Sequence, residues 1–146
     1  MESKFKKLLS LLVVYQYNLR VLHWKVVGLN FDGKHNLFGD YYAKFDEFID
    51  SVAELALELD VNPASFSEAF AILQSLEEDV IICKGTEDYN PKDALLITGK
   101  MFEHLLRVVE SCQEGLPTDV QGSLDDIKQY LRLEGRYKNK RRIAFL

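Results

Sequence analysis

Two pairs of side chains stand out for chemistry. His23 and His35 are one pair, Asp50 and Glu54 the other, and only one further histidine, His104, occurs in the chain. Neutral imidazole and carboxylate oxygen are suitable ligands for Fe(II), Mn(II) or Zn(II). Asp50 and Glu54 are spaced i,i+4, so a helix puts both on one face. His35 and Asp50 are fifteen residues apart on what reads as one helix. At 1.5 Å per residue their separation is about 22 Å, whereas metal–ligand bonds are about 2 Å. One chain therefore cannot bring both to one ion. If all four residues serve one site, His23 and His35 come from one subunit and Asp50 and Glu54 from another. A twofold interface with antiparallel second helices would do this and would make two equivalent sites. The Glu-x-x-His plan of sites inside a helical bundle is absent. Three residues before His104 stands Met101, and three before His35 stands Asp32 at a helix start. Taken singly, a histidine near a helix end or an i,i+4 acid pair is most often a solvated surface feature. His104 reads as a structural or surface residue.

Those residues need helices to position them. Phe5, Leu8, Leu12, Tyr15, Leu19, Leu22 and Val26 recur at steps of three and four, which predicts a helix over 3–27 stopped by Gly28. A second helix, capped by Asp32 and running to about Leu59, carries Phe38, Tyr42, Phe45, Ile49, Val52 and Ala56 on one stripe. Pro63 marks a break. Ser65 and Glu68 form a capping box for a short helix over 66–77. Residues 79–90 read as a loop. Asn90 then caps a helix with Pro91 in its first position, and Gly115 ends it. The last helix is expected to start at Thr118, with Gln121 completing another box, and to end at Gly135.

The expectation is thus an all-α chain of four long helices and one short one. The short helix lies in a long link between the second and third long helices. Such a link can cross the length of a bundle and make those two helices parallel, which is the ferritin-like arrangement. The predicted domain is 1–135, followed by a basic C-terminal tail, 136–146.

Composition fits this. Of 146 residues, 28% are charged and 47% hydrophobic, the mixture of one globular domain. The net charge of −5 speaks against a dedicated nucleic-acid binder. The longest apolar run, Leu11 to Tyr15, is far below the roughly 20 residues of a membrane helix. No signal peptide is apparent, so the expected location is cytoplasmic. Cys83 and Cys112 read as buried, reduced thiols.

The stretch from Leu22 to Ala56 carries a more specific pattern. It reads His23-Trp24-Lys25-Val26-Val27-Gly28, then Phe31, His35, Asp50 and Glu54. This resembles the signature of the Dps mini-ferritins: a His-Trp opening with Val and Gly following, a second His twelve residues on, an Asp fifteen further and a Glu four after that. Asn62-Pro63 before a short helix, and Gln129-Tyr130-Leu131-Arg132, extend the resemblance more weakly. It implies a shell of twelve subunits that oxidises Fe(II) with hydrogen peroxide or O2 and stores ferric mineral inside. It implies that His23, His35, Asp50 and Glu54 hold one or two irons between subunits, Zn or Mn being accepted by the same set. Trp24 would stand beside the site as a redox-active ring. Four residues after the second His the family has another acid; here that residue is Gly39, and the adjacent Asp40 is its nearest substitute.

Arg136, Lys138, Lys140, Arg141 and Arg142 form a basic tract in this acidic chain. Multiplied over a shell, such charges could hold phosphate backbones without reading sequence. The alternative to a ferroxidase is therefore a non-catalytic shell or scaffold that binds DNA or a protein partner.

Overall fold

A computed structural model describes residues 1–146. It contains α1 (Glu2–Lys25), α2 (Phe31–Glu58), α3 (Phe66–Ser75), α4 (Pro91–Glu114), α5 (Asp125–Arg132) and α6 (Asn139–Ala144). A 3-10 helix, Thr118–Leu124, precedes α5, and a π-helical stretch, Leu133–Lys138, joins α5 to α6. There is no sheet, only one isolated bridge between Val26 and Tyr89.

That bridge sets the topology. The Val27 amide donates to the Tyr89 carbonyl at 2.9 Å, and the Tyr89 amide to the Lys25 carbonyl at 3.0 Å. The end of α1 is thereby tied to the start of α4. Because α2 also begins at that end, α2 and α4 run parallel and the link over residues 59–90 crosses the bundle. Contacts between α1 and α4 have antiparallel order: Tyr15 meets His104, and Lys4 reaches the Ser111 carbonyl. The α5–α6 segment returns antiparallel to α2, with Phe48 against Tyr130 and Tyr41 against Glu134. The ferritin-like bundle expected from the sequence is the fold.

One core runs through it. Leu8, Leu11, Leu12, Tyr15, Leu19 and Leu22 from α1 meet Phe38, Tyr41 and Phe45 from α2, and Leu95, Phe102 and Leu105 from α4. The two cap predictions within and at the end of the long link hold. Ser65 and Glu68 make the reciprocal box, and the Asn90 side chain accepts from the Asp93 amide with Pro91 at the first turn.

Three boundaries differ from the sequence reading. First, Asn30, in a left-handed conformation, precedes α2; Asp32 lies inside the first turn, where its charge faces the positive helix end. Second, Thr118 caps nothing. The Gln121 side chain donates back to the Leu116 carbonyl instead of closing a box, and 118–124 winds as 3-10 helix. Third, Gly135 does not end the last helix. A Cβ there would lie 2.8 Å from the Phe102 Cβ, so this glycine is needed where the helix presses on α4. The helix widens into its π stretch and continues to Ala144.

The basic tract consequently lies on a docked helix. Arg136 pairs with Glu103, while Lys138 and Arg142 reach the buried Glu134 at 2.8 and 3.2 Å. Burial opposes ionisation of Glu134, but the Lys138, Arg142 and Tyr41 donors outweigh it and hold the carboxyl below its usual range.

Candidate metal centre

The α1–α2 turn folds two histidines onto each other. His23 stands in the last turn of α1 and His35 in the first turns of α2. Their rings stack with centroids 3.6 Å apart and planes 19° apart. His23 Nδ1 lies 2.6 Å from the His35 carbonyl, and His35 Nδ1 lies 2.7 Å from the His23 carbonyl. A carbonyl only accepts, so both Nδ1 atoms must carry the proton. Each neutral ring then presents its Nε2 lone pair, the form that binds a metal. Main-chain carbonyls orienting the far nitrogen are the outer-shell support that metal-ligating histidines use.

The sequence makes this clasp available. The last carbonyls of a helix have no intrahelical partner. At the end of α1, Leu22 receives the Val26 amide and Lys25 the Tyr89 amide, leaving His23 to receive the His35 ring. Gly39 supplies the room. A Cβ at position 39 would stand 3.1 Å from His23 Cε1 and 3.2 Å from His23 Nδ1. The glycine that departs from the Dps pattern is therefore the residue over which the His23 ring lies.

Aromatic rings frame the pair. Phe31 stacks on His35 at 5.3 Å and Tyr42 meets His23 edge-on at 5.4 Å. Arg20 lies 4.1 Å over the Tyr42 ring. Trp24 is 56% exposed and makes an edge contact with Tyr17. In the sequence Tyr42 was read only as part of the α2 apolar stripe, and Arg20 was not singled out. Their only signal is register: Tyr42 follows His35 by two turns on one face.

The carboxylates sit elsewhere. Asp50 and Glu54 are exposed on α2, about four turns from His35. Within one chain no three His, Cys, Asp or Glu side chains come together as a metal-holding group. Asp40 is exposed and follows Gly39 by about 100° around the helix, away from the His23 ring. Its charge acts on the Tyr130 phenol of α5, helping burial to push that phenol up.

No family profile matches the chain. It is 35% identical over 91 residues to a DNA protection during starvation protein of Porphyromonas gingivalis. That match covers 62% of this chain and 57% of the relative. It is 28% identical over 85 residues to a protein of Haemophilus influenzae, covering 58% of this chain and 53% of the relative. The matches thus span little more than half the length of these relatives. Among solved structures, antigen TpF1 from Treponema pallidum superposes with a TM-score of 0.80 at 23% identity, covering 96% of this chain and 88% of that one. A Dps protein from Vibrio cholerae, described as a member of a superfamily of ferritin-like diiron-carboxylate proteins, gives 0.74 at 22% identity, covering 99% and 87%. Dps92 from Deinococcus radiodurans gives 0.79 at 16%, covering 95% and 82%. At these identities the structures establish the fold. The resemblance read from the sequence is borne out in the fold: the chain has the ferritin-like fold of these Dps structures.

Proposed function

We propose that the protein oxidises Fe(II) with hydrogen peroxide or O2 and stores the ferric product in a homo-oligomeric shell. The observation that carries this reading is the clasped histidine pair with both Nε2 atoms free of hydrogen bonds. Fe(II) is the substrate. His23 and His35 capture it, and Asp50 and Glu54 of a second copy complete the site across a twofold interface. The carboxylates neutralise charge as Fe(III) forms, and the oxidised ion then passes to a cavity enclosed by the assembled copies. The redox chemistry belongs to the metal; the protein supplies ligands and enclosure. Trp24, exposed and one residue from His23, can intercept stray oxidising equivalents. The set His23, His35, Asp50 and Glu54 also accepts Zn(II) or Mn(II). The resemblance further implies a dodecamer, and the expected location remains cytoplasmic; no helix is long and apolar enough to cross a membrane.

Gly39 carries no ligand atom, and Asp40 faces away from the His23 ring. The reading therefore favours one tightly held iron per site, with any second iron weaker. The alternative is a non-catalytic shell that binds DNA through 136–146. Three of that segment's five cations are engaged by Glu103 and Glu134, leaving Lys140 and Arg141 for a phosphate backbone.

The test is complementation between copies. His35→Ala and Asp50→Asn proteins are each expected to oxidise anaerobically loaded Fe(II) no faster than free iron when peroxide is added. Dissociated, mixed and reassembled, they regain activity, because some interfaces pair an intact His face with an intact carboxylate face. Wild-type oxidation at the free-iron rate would overturn the enzyme reading. Mixtures that stay inactive would overturn the shared site.

A further inference from the structure

A hydrogen-bonded polar chain that the proposed iron site does not use crosses from the core to the surface. Tyr15 of α1 is fully buried, and its hydroxyl lies 2.7 Å from His104 Nδ1. His104 Nε2 lies 3.3 Å from Glu78 Oε1, which Lys7 also engages. The Ile81 amide points at the same phenol oxygen at 3.4 Å. Proton positions follow from what each atom can do. A carboxylate accepts, so His104 Nε2 carries the proton; in the neutral ring Nδ1 is then the acceptor, and the phenol donates to it. The chain runs from phenol to imidazole to carboxylate and ends at Glu78, whose side chain is 40% exposed.

Substrate cannot reach a phenol with no exposed surface, which excludes nucleophilic or acid–base work on a bound molecule. An electron can still leave it through the protein, and its proton has a path out. Burial holds the Tyr15 phenol above its usual pKa, so it keeps its proton in the resting state. Tyr15, Leu19 and His23 stand on one i,i+4,i+8 ridge of α1, which puts Tyr15 about 12 Å from His23 along the axis.

We propose that Tyr15 is a buried redox-active residue that quenches one-electron oxidants, with His104 as its proton acceptor and Glu78 as the outlet. The primary oxidant is hydroxyl radical, formed together with hydroxide and Fe(III) when Fe(II) reduces peroxide by one electron and the O–O bond breaks. The radical takes an electron from the exposed Trp24 ring and becomes hydroxide, and Tyr15 gives one electron through the protein to the oxidised ring, restoring it. The phenol proton moves to His104 Nδ1, the Nε2 proton moves to Glu78 and solvent, and that proton converts hydroxide to water. A second Fe(II) returns one electron to the neutral tyrosyl, a proton returns along the chain, and Fe(III) is left. Peroxide is thereby fully reduced without a released radical. The source of the oxidant rests on the ferroxidase reading; the redox couple does not.

Two experiments separate these. In the first, iron-free protein is oxidised by flash-generated tris(bipyridyl)ruthenium(III) and followed by electron paramagnetic resonance. A neutral tyrosyl signal is expected that disappears in Tyr15→Phe and survives in Tyr17→Phe and Tyr137→Phe. His104→Asn keeps an acceptor near the phenol but cannot take its proton. Its signal should drop to the Tyr15→Phe level in protein whose circular dichroism is unchanged, and wild-type formation should slow in D2O. Radicals confined to Tyr17, Tyr137 or Trp24, or a Tyr15 signal indifferent to His104→Asn, would overturn the proposal. In the second, the same protein is loaded with Fe(II), mixed with peroxide and freeze-quenched. A Tyr15 radical in both arms supports the whole scheme. A radical in the photochemical arm alone supports the tyrosine couple and counts against the iron site as its oxidant.

Discussion

Position 35 separates holding the clasp from binding iron. His35→Ala removes the hydrogen bond to the His23 carbonyl at 2.7 Å and the stacked ring at 3.6 Å. One such bond contributes about 0.5–1.5 kcal/mol net, and with the ring contact the loss should be about 1–2 kcal/mol. At roughly 2–4 °C per kcal/mol for a chain of this size, Tm falls by a few degrees. His35→Asn behaves differently. Its side-chain amide N–H can occupy the place of Nδ1–H and keep the bond to His23, but it has nothing where Nε2 was. Its stability should stay within about 0.5 kcal/mol of wild type. Peroxide-dependent Fe(II) oxidation should fall in both variants by at least about tenfold, the lower end of what losing even an outer-shell partner costs a metal site. Urea unfolding gives the first quantity and stopped-flow ferric absorbance the second. If His35→Asn oxidises iron like wild type, Nε2 is not a ligand and the metal reading fails. If His35→Asn is as unstable as His35→Ala, the clasp is not what holds the turn.

Other consequences are equally direct. Gly39→Ala should shift the His23 ring by a few tenths of an ångström, a displacement its short 2.6 Å bond can absorb. Helix propensity should then make the variant up to about 1 kcal/mol more stable in urea; destabilisation by more than that would mean the ring cannot yield. Glu134 has a depressed folded-state pKa, so its contribution is present above the usual carboxylate range, about 4.3 when unfolded, and is lost as pH falls through the lower folded value. Glu134→Gln should cost about 1–3 kcal/mol at pH 7, discounted for partners that are partly exposed. Its unfolding profile should also be flatter than wild type below about pH 4; equal acid slopes would show that Glu134 is not the group being protonated. Cys83 and Cys112 are buried, with burial raising both thiols to about 11. Both should resist Ellman's reagent in the native protein and react in urea. Ser65→Ala should cost about 1 kcal/mol through the lost cap and speed proteolysis within 66–75, read by mass spectrometry of the fragments.

The legible parts of this protein were those written in local periodicity. Apolar steps of three and four named the stripes of α1, α2 and α4, because a helix face is set by residues within a few turns of one another. Ser65–Glu68 and Asn90–Pro91 were readable because a cap is satisfied within three residues. The misread ends depended on contacts outside the cap pattern itself. Gly135 looked like a stop but is a close contact with Phe102. Thr118 looked like a cap, yet Gln121 was already committed to Leu116.

The same division runs through the candidate site. The residue types, their twelve- and fifteen-residue spacings and the length of a helical rise were enough to place the two histidines apart from Asp50 and Glu54. The tertiary structure decided what spacing cannot express. It turned α1 onto α2 so that each histidine binds the other's carbonyl, and it laid the His23 ring over Gly39. It also buried His104, read as a structural or surface residue, between Tyr15 and Glu78. These contacts join positions 12, 16, 26 and 89 residues apart. Sequence fixes which groups exist and the face each occupies. Packing fixes which faces meet, and a hydrogen bond exists only where they do.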